Sequence, residues 1–222
     1  MIIFKKIFFL TLITFLTLLV SCVDNSSSQD VVEEVVEEEV LMSLLNESEV
    51  QEEMTNPIAV IETVQGTIKI ELFKDKVPNT VQNFVDLVEN GYYDNTKFHR
   101  IIANFMIQGG DPLTIDDNKK SLWGTGGPGY EIEDEFAEGL SNLPGTISMA
   151  NHGPNTGGSQ FFINLVDNSF LDYDKQPFSS KHPVFGKVIE GMSVVETLGA
   201  ITTDSMDRPM DDVILIKVSI EN

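Results

Sequence analysis

The sequence predicts a mainly β domain, an antiparallel barrel closed on itself with helices as plugs. Three observations lead there. Short β-prone runs recur through the last three-quarters of the chain, Gly- and Pro-rich connections separate them, and only two stretches there carry helical spacing. The same pattern also suits a sandwich of two sheets, and pattern alone leaves both open.

The elements follow in order. Ile58 to Ile61 and Thr67 to Leu72 are apolar, β-prone and joined through Gln65-Gly66, which predicts a hairpin. Val81, Phe84, Val85 and Val88 recur at helical spacing, with Pro78 near the start and Gly91 just past the end. Strand-like pieces come next at Phe98 to Ile101, Phe105 to Gln108, Gly145 to Ala150, Phe161 to Asn164 and Val184 to Val188. Ser193-Val194-Val195-Glu196 reads as a capping box opening a second helix through Leu198, with Gly199 at its end. Val213 to Ile220 supplies the last strand.

Ahead of this domain the chain has a different character. Lys5 and Lys6 precede an uncharged apolar run, Ile7 to Val20, that ends in small residues, the pattern of an export signal over residues 1–21. The run is shorter than the roughly 20 residues that span a bilayer; the competing reading is an uncleaved membrane anchor. Leu19-Val20-Ser21-Cys22 resembles a bacterial lipobox, which implies cleavage before Cys22 and acyl chains on its lipidated sulfur. Cys22 is the only cysteine, so an intramolecular disulfide is excluded. The expected location is extracytoplasmic, on a membrane through Cys22.

Residues 22–57 read as a tether. Eleven of the chain's 35 acidic residues lie between Asp24 and Glu53, with no Lys or Arg among them. Like charges repel and extend such a segment. Valines recur there at helical spacing, yet a lone valine-rich helix without cations is unstable.

Residues 58–222 suffice for one well-buried domain. They hold 12 basic against 24 acidic residues, a net charge of −12. Nucleic acid and anionic lipid are therefore poor partners for its surface. Several chemistries are also excluded. His99, His152, His182 and one cysteine offer no metal-ligand spacing, and no cofactor is implied. Asp116-Asp117 lacks the spacing of a calcium loop and reads as a solvated turn. Gly124-Thr125-Gly126-Gly127-Pro128-Gly129 lacks the Lys-Ser/Thr of a phosphate loop, and no Gly-x-Ser-x-Gly nucleophile occurs.

What remains is two blocks. Phe98 to Asp111 sets Arg100 and Gln108 among Phe105 and Met106; Ser148 to Ile163 sets Asn151 and Gln160 beside Phe162. Polar groups interleaved with apolar side chains suit a groove that holds a peptide backbone and pockets a compact ring. Together the blocks resemble the signature of the cyclophilins, the peptidyl-prolyl cis-trans isomerases, and the resemblance covers essentially all of 58–222.

The resemblance implies an eight-stranded antiparallel barrel with a helix over each open end, and a site assembled from both blocks. Arg100 matches the catalytic arginine. Phe105, Met106, Phe162 and Leu171 match the proline pocket, with His182 at its wall. Gln108 and Gln160 match the groove amides, Asn151 the residue whose backbone pairs with substrate, and Ala150 the neighbouring surface. Gly124 lies in the adjoining Gly-rich loop. His99 matches a rim position, and His152 is expected to shape a secondary pocket. Phe170 stands where many relatives have Trp, which puts tight cyclosporin inhibition in doubt without threatening isomerisation. The loop from Tyr173 to Lys181 is longer than in compact relatives. The expected function is isomerisation of X–Pro bonds in exported or envelope proteins by a monomer acting on proline-containing polypeptides. The alternative is a proline-peptide binding module or holdase with incidental catalysis.

Overall fold

A computed structural model describes residues 56–176 and 181–221. The expected signal segment, Cys22 and all but the last two residues of the tether lie outside these residues, as do residues 177–180 of the longer loop. Eight strands and two helices make up the fold: β1 (Ile58–Thr63), β2 (Gly66–Leu72), α1 (Pro78–Glu89), β3 (Arg100–Ile102), β4 (Met106–Gly109), β5 (Thr146–Met149), β6 (Phe161–Asn164), β7 (Val184–Glu190), α2 (Met192–Gly199) and β8 (Leu215–Glu221).

All eight strands join one antiparallel sheet in the order β3-β4-β6-β5-β7-β2-β1-β8. The expected closed barrel is corrected here: the sheet curls into a half-barrel, and its end strands β3 and β8 do not pair with each other. Among the described residues, the segment before β3 meets the start of β8 and the residues just ahead of it. An isolated bridge joins Lys97 to Ile214, and Asn95 N–H and Phe98 N–H donate to Leu215 O and Val213 O at 2.8 and 2.9 Å. The reason lies at β3. It is three residues long, and Ile101 N–H on its free edge donates to Asp207 O at 2.8 Å. A loop, not a strand, therefore covers that edge.

The hairpin between β1 and β2 forms as expected, with Thr63 opposite Gly66. Thr63 Oγ1 donates to Gly66 O at 2.8 Å and accepts from Gln65 N–H at 3.1 Å. Asn56 and Pro57, expected in the tether, belong to the fold: Asn56 Nδ2 donates to Glu71 Oε1 at 3.0 Å, and Pro57 O accepts from Leu72 N–H at 2.9 Å.

Helix α1 begins at Pro78, where a missing N–H costs nothing. One of its open donors, Thr80 N–H, is capped from a distance by Glu135 Oε2 at 2.9 Å. Val81, Phe84, Leu87 and Val88 enter the core, where the Phe84 ring meets Tyr93, Phe161 and Phe185 at 5.2–5.7 Å. The capping box expected at Ser193 does not form. Helix α2 starts two residues earlier, at Met192, which puts Ser193 inside the first turn and leaves Gly191 at the cap. Gly191 has φ +84°, and a Cβ there would lie 2.2 Å from Thr67 O. Close approach of β2 thus selects glycine over a capping side chain.

Strand alternation then divides the faces. Ile101, Ile107, Phe161 and Ile163 point into the main core with Ile68, Ile70 and Ile147. Their sequence neighbours take the other face and build the groove.

Candidate active site

Register brings one row of side chains across the outer face. Arg100 on β3 lies opposite Gln108 on β4, Gln108 opposite Phe162 on β6, and Phe162 opposite Ser148 on β5. Facing residues on neighbouring strands are side-chain neighbours, so an arginine, an amide and an aromatic ring from two distant blocks become adjacent.

Arg100, Gln108 and Phe162 of this row line a groove of about 420 Å³. Met106, Phe162 and Leu171 form an apolar cluster of their own, each 2–6 % exposed, with Phe105, Ile102 and Ala150 packed against it. The cluster is separate from the main core. His182 closes one side, its ring edge-to-face with Phe162 at 5.3 Å and 82°. His182 Nδ1 lies 3.0 Å from Met149 O. A carbonyl only accepts, so Nδ1 carries the proton. Burial lowers the His182 pKa, and the Met149 carbonyl opposes that shift.

Arg100 stands at the mouth, its side chain 44 % exposed and its Nε 3.6 Å from Asp207 Oδ2. Gln108 Nε2 donates to Gln160 Oε1 at 3.0 Å. Gln160 in turn donates to Gly124 O and Gly126 O at 3.1 and 2.8 Å. Asn151 is held by its side chain, which donates to Lys181 O at 2.7 Å. Its backbone makes no hydrogen bond to another described residue.

Ten of the expected site residues line this groove: Arg100, Phe105, Met106, Gln108, Gly124, Ala150, Asn151, Phe162, Leu171 and His182. Two stand outside it. Gln160 lies under an adjoining depression of about 570 Å³, which shares Gln108, Ala150, Asn151 and His152 with the groove. Phe170 is 54 % exposed at the rim, stacked on Phe105 at 6.1 Å. Asp116 and Asp117 lie in a solvated turn, as expected, and also have partners there: Asp116 caps a short 3-10 turn through Asn118 N–H, and the exposed Asp117 pairs with Lys97.

Several residues at the groove escaped the sequence reading. Buried Asp111 holds the Gly-rich loop, accepting from Gly124 N–H and, at 3.2 Å, from Gly126 N–H; its place at the end of the first block was the available signal. Trp123, the lone tryptophan, lines the groove with Lys97 Nζ 4.8 Å above its ring. Met206 and Arg208 come from a turn a hundred residues after Arg100, and no local signal marks them. His99, expected at a rim position, lines the groove and is buried. Burial pushes its pKa down to about 4, so it is neutral at neutral pH.

A half-barrel whose outer face carries a cation, paired amides and a separate apolar pocket defines a class: a peptide-groove protein that holds a compact apolar side chain beside a charge. Comparison with known proteins makes this particular. Residues 58–220 match the family model described as cyclophilin type peptidyl-prolyl cis-trans isomerase/CLD. Peptidyl-prolyl cis-trans isomerase-like 1 of Homo sapiens is 43% identical over 162 residues, 72% of this chain and 90% of the relative. Peptidyl-prolyl cis-trans isomerase CYP71 of Arabidopsis thaliana is 41% identical over 201 residues, 89% of this chain but only 30% of that longer relative. A cyclophilin type peptidyl-prolyl cis-trans isomerase of Cryptosporidium parvum, crystallised in the presence of the dipeptide Ala-Pro, superposes with a TM-score of 0.64 at 34% identity. That match covers 74% of this chain and 99% of that one. The chain belongs to the cyclophilin-type peptidyl-prolyl cis-trans isomerases, and its activity is peptidyl-prolyl isomerisation.

Proposed function

We propose that the groove binds an extended X–Pro segment, seats the proline ring on Met106, Phe162 and Leu171, and catalyses rotation through Arg100 without a covalent step. The observation that carries this reading is the cross-strand row, which sets Arg100 and Gln108 beside the ring of Phe162. The Ala-Pro dipeptide named with the Cryptosporidium relative supports the substrate class.

The chemistry follows from the bond. Resonance sets a rotation barrier of about 18–20 kcal/mol. Twisting localises the lone pair on the prolyl nitrogen, and a guanidinium donor there stabilises the twisted form more than either planar one. Each 1.36 kcal/mol of that difference gives about tenfold in rate. Arg100 supplies a permanent cation with planar donors. The Asn151 backbone would hold the chain on one side of the bond while the other side turns. The residues assigned here are Arg100 for catalysis and Phe105, Met106, Gln108, Gly124, Ala150, Asn151, Gln160, Phe162, Phe170, Leu171 and His182 for binding. A proline-isomerisation assay on a short X–Pro peptide tests the reading: Arg100→Ala should fall towards the uncatalysed rate, and full retained activity would overturn it.

In the cell, we read the protein as a monomeric lipoprotein: residues 1–21 a signal, lipidated Cys22 and 22–57 an acidic tether, and 58–222 the isomerase, acting outside the cytoplasm on exported or envelope proteins. The relatives above are eukaryotic, so the bacterial-type anchor rests on the N-terminal residues alone. Labelling with a radioactive fatty acid, wild type against Cys22→Ala, tests it; an unlabelled wild type would sink the anchor. A second reading, a holdase with incidental catalysis, draws on the adjoining depression, which extends the surface beyond one proline. Rescue of a deletion strain by the Arg100→Ala protein would favour it.

A further inference from the structure

The geometry points to Asp207 as a positioning residue that fixes the guanidinium of Arg100 for catalysis. This inference rests on the reading of Arg100 given above.

Asp207 Oδ2 lies 3.6 Å from Arg100 Nε, the inner nitrogen of the guanidinium. An anion there pairs with the stem side of the group and leaves both outer nitrogens free to face a substrate. No other ion pair of Arg100 occurs among the described residues. Among the described residues no hydrogen bond joins Arg100 to the amides matched to its support: Gln108 Nε2 donates to Gln160 Oε1, and Gln160 Nε2 donates to the Gly-rich loop.

Asp207 is also locked by its backbone. Its carbonyl accepts from Ile101 N–H at 2.8 Å, beside Arg100 on the same strand, and its own N–H donates to Asp204 O at 3.1 Å. Asp204 Oδ1 accepts from the N–H groups on both sides, Met206 at 2.8 Å and Arg208 at 3.0 Å. Carboxylate and guanidinium are thus carried on two backbones tied together by one hydrogen bond.

A stabilising role does not account for the pair. Both side chains are 44 % exposed, and exposed ion pairs add little to stability. Asp207 also adopts φ +61°, a left-handed conformation unfavourable for a residue with a Cβ. A turn that accepts this cost while aiming a carboxylate at the catalytic cation fits positioning better than folding.

The test uses Asp207→Asn, which keeps size and tolerance of left-handed backbone while removing the charge. Asp207→Gly, relaxed at this φ, is the second variant should the first fold poorly. NMR exchange measurements on an X–Pro peptide give kcat and KM separately. Asp207→Asn is expected to lower kcat about tenfold, a difference of 1.36 kcal/mol, with KM and Tm little changed. In an Arg100→Lys background, which has no Nε to pair, the same substitution should have no further effect. Wild-type kcat in both Asp207 variants, or an equal loss in the two backgrounds, would overturn the positioning role. Full activity of Arg100→Ala would instead overturn the parent reading of Arg100.

Discussion

Gln160 Oε1 accepts from Gln108 Nε2 at 3.0 Å, while the Gln160 Nε2 group spans the carbonyls of Gly124 and Gly126. One buried amide therefore ties the catalytic row to the Gly-rich loop. Replacing it with Glu sets a carboxylate against two carbonyl oxygens. Leaving such groups unpaired in a buried site costs about 3 kcal/mol. Gln160→Glu should lower unfolding free energy by about that amount and cut kcat/KM. Gln108→Ala, with its groove-side group half-exposed, should cost about 1 kcal/mol. Urea unfolding of the two variants checks the order.

Gly126 is fixed by Asp111. A Cβ at Gly126 would stand 2.1 Å from Asp111 Oδ1, whereas at Gly127 it would meet nothing within 4 Å. Gly126→Ala should therefore displace the loop and lower both Tm and activity, and Gly127→Ala should leave both near wild type. Differential scanning calorimetry with the isomerase assay separates the two outcomes.

The apolar cluster should reveal itself by its effect on binding. Phe162 is 4 % exposed, and its truncation removes both packing and the pocket wall. Phe162→Ala should cost about 3 kcal/mol in stability and raise KM for an X–Pro peptide. Met106→Leu, near in volume, should cost less than about 1.5 kcal/mol. An unchanged KM in Phe162→Ala would separate this ring from the substrate site.

His99 sets an acid-side slope in stability. Its unfolded value is near 6.5 and burial pushes the folded value down to about 4. Between those values the unfolded chain binds the proton and the native chain refuses it, so stability falls as pH falls through that window. The full contribution is about 3 kcal/mol, present above pH 6.5 and lost at about pH 4. His99→Leu removes the titrating ring and keeps an apolar side chain at this buried position. Urea unfolding at pH 7 and pH 4.5 should show a smaller drop for His99→Leu than for wild type.

Much of this was legible in the chain. Alternation along β4 and β6 separates core residues (Ile107, Phe161, Ile163) from groove residues (Met106, Gln108, Phe162), because successive side chains on a strand take opposite faces. The α1 boundaries followed from Pro78 and Gly91, where local backbone chemistry decides. The α2 cap was misread because its determinant is not local. Ser193 and Glu196 make a good box in isolation, but the β2 backbone at Thr67 leaves room only for Gly191 at the cap.

The sequence by itself determined the strands and helices, since each depends on side-chain period and on chemistry within a few neighbouring positions, and the resemblance of its two blocks to the cyclophilin signature marked most of the groove residues. Only the tertiary structure decided that the sheet stays open and what stands beside Arg100. Both turn on Asp207, whose carbonyl covers the β3 edge at Ile101 and whose carboxylate faces Arg100. That contact joins residues about a hundred positions apart. Periodicity carries no information about such a meeting, because it is set by how the whole sheet curls.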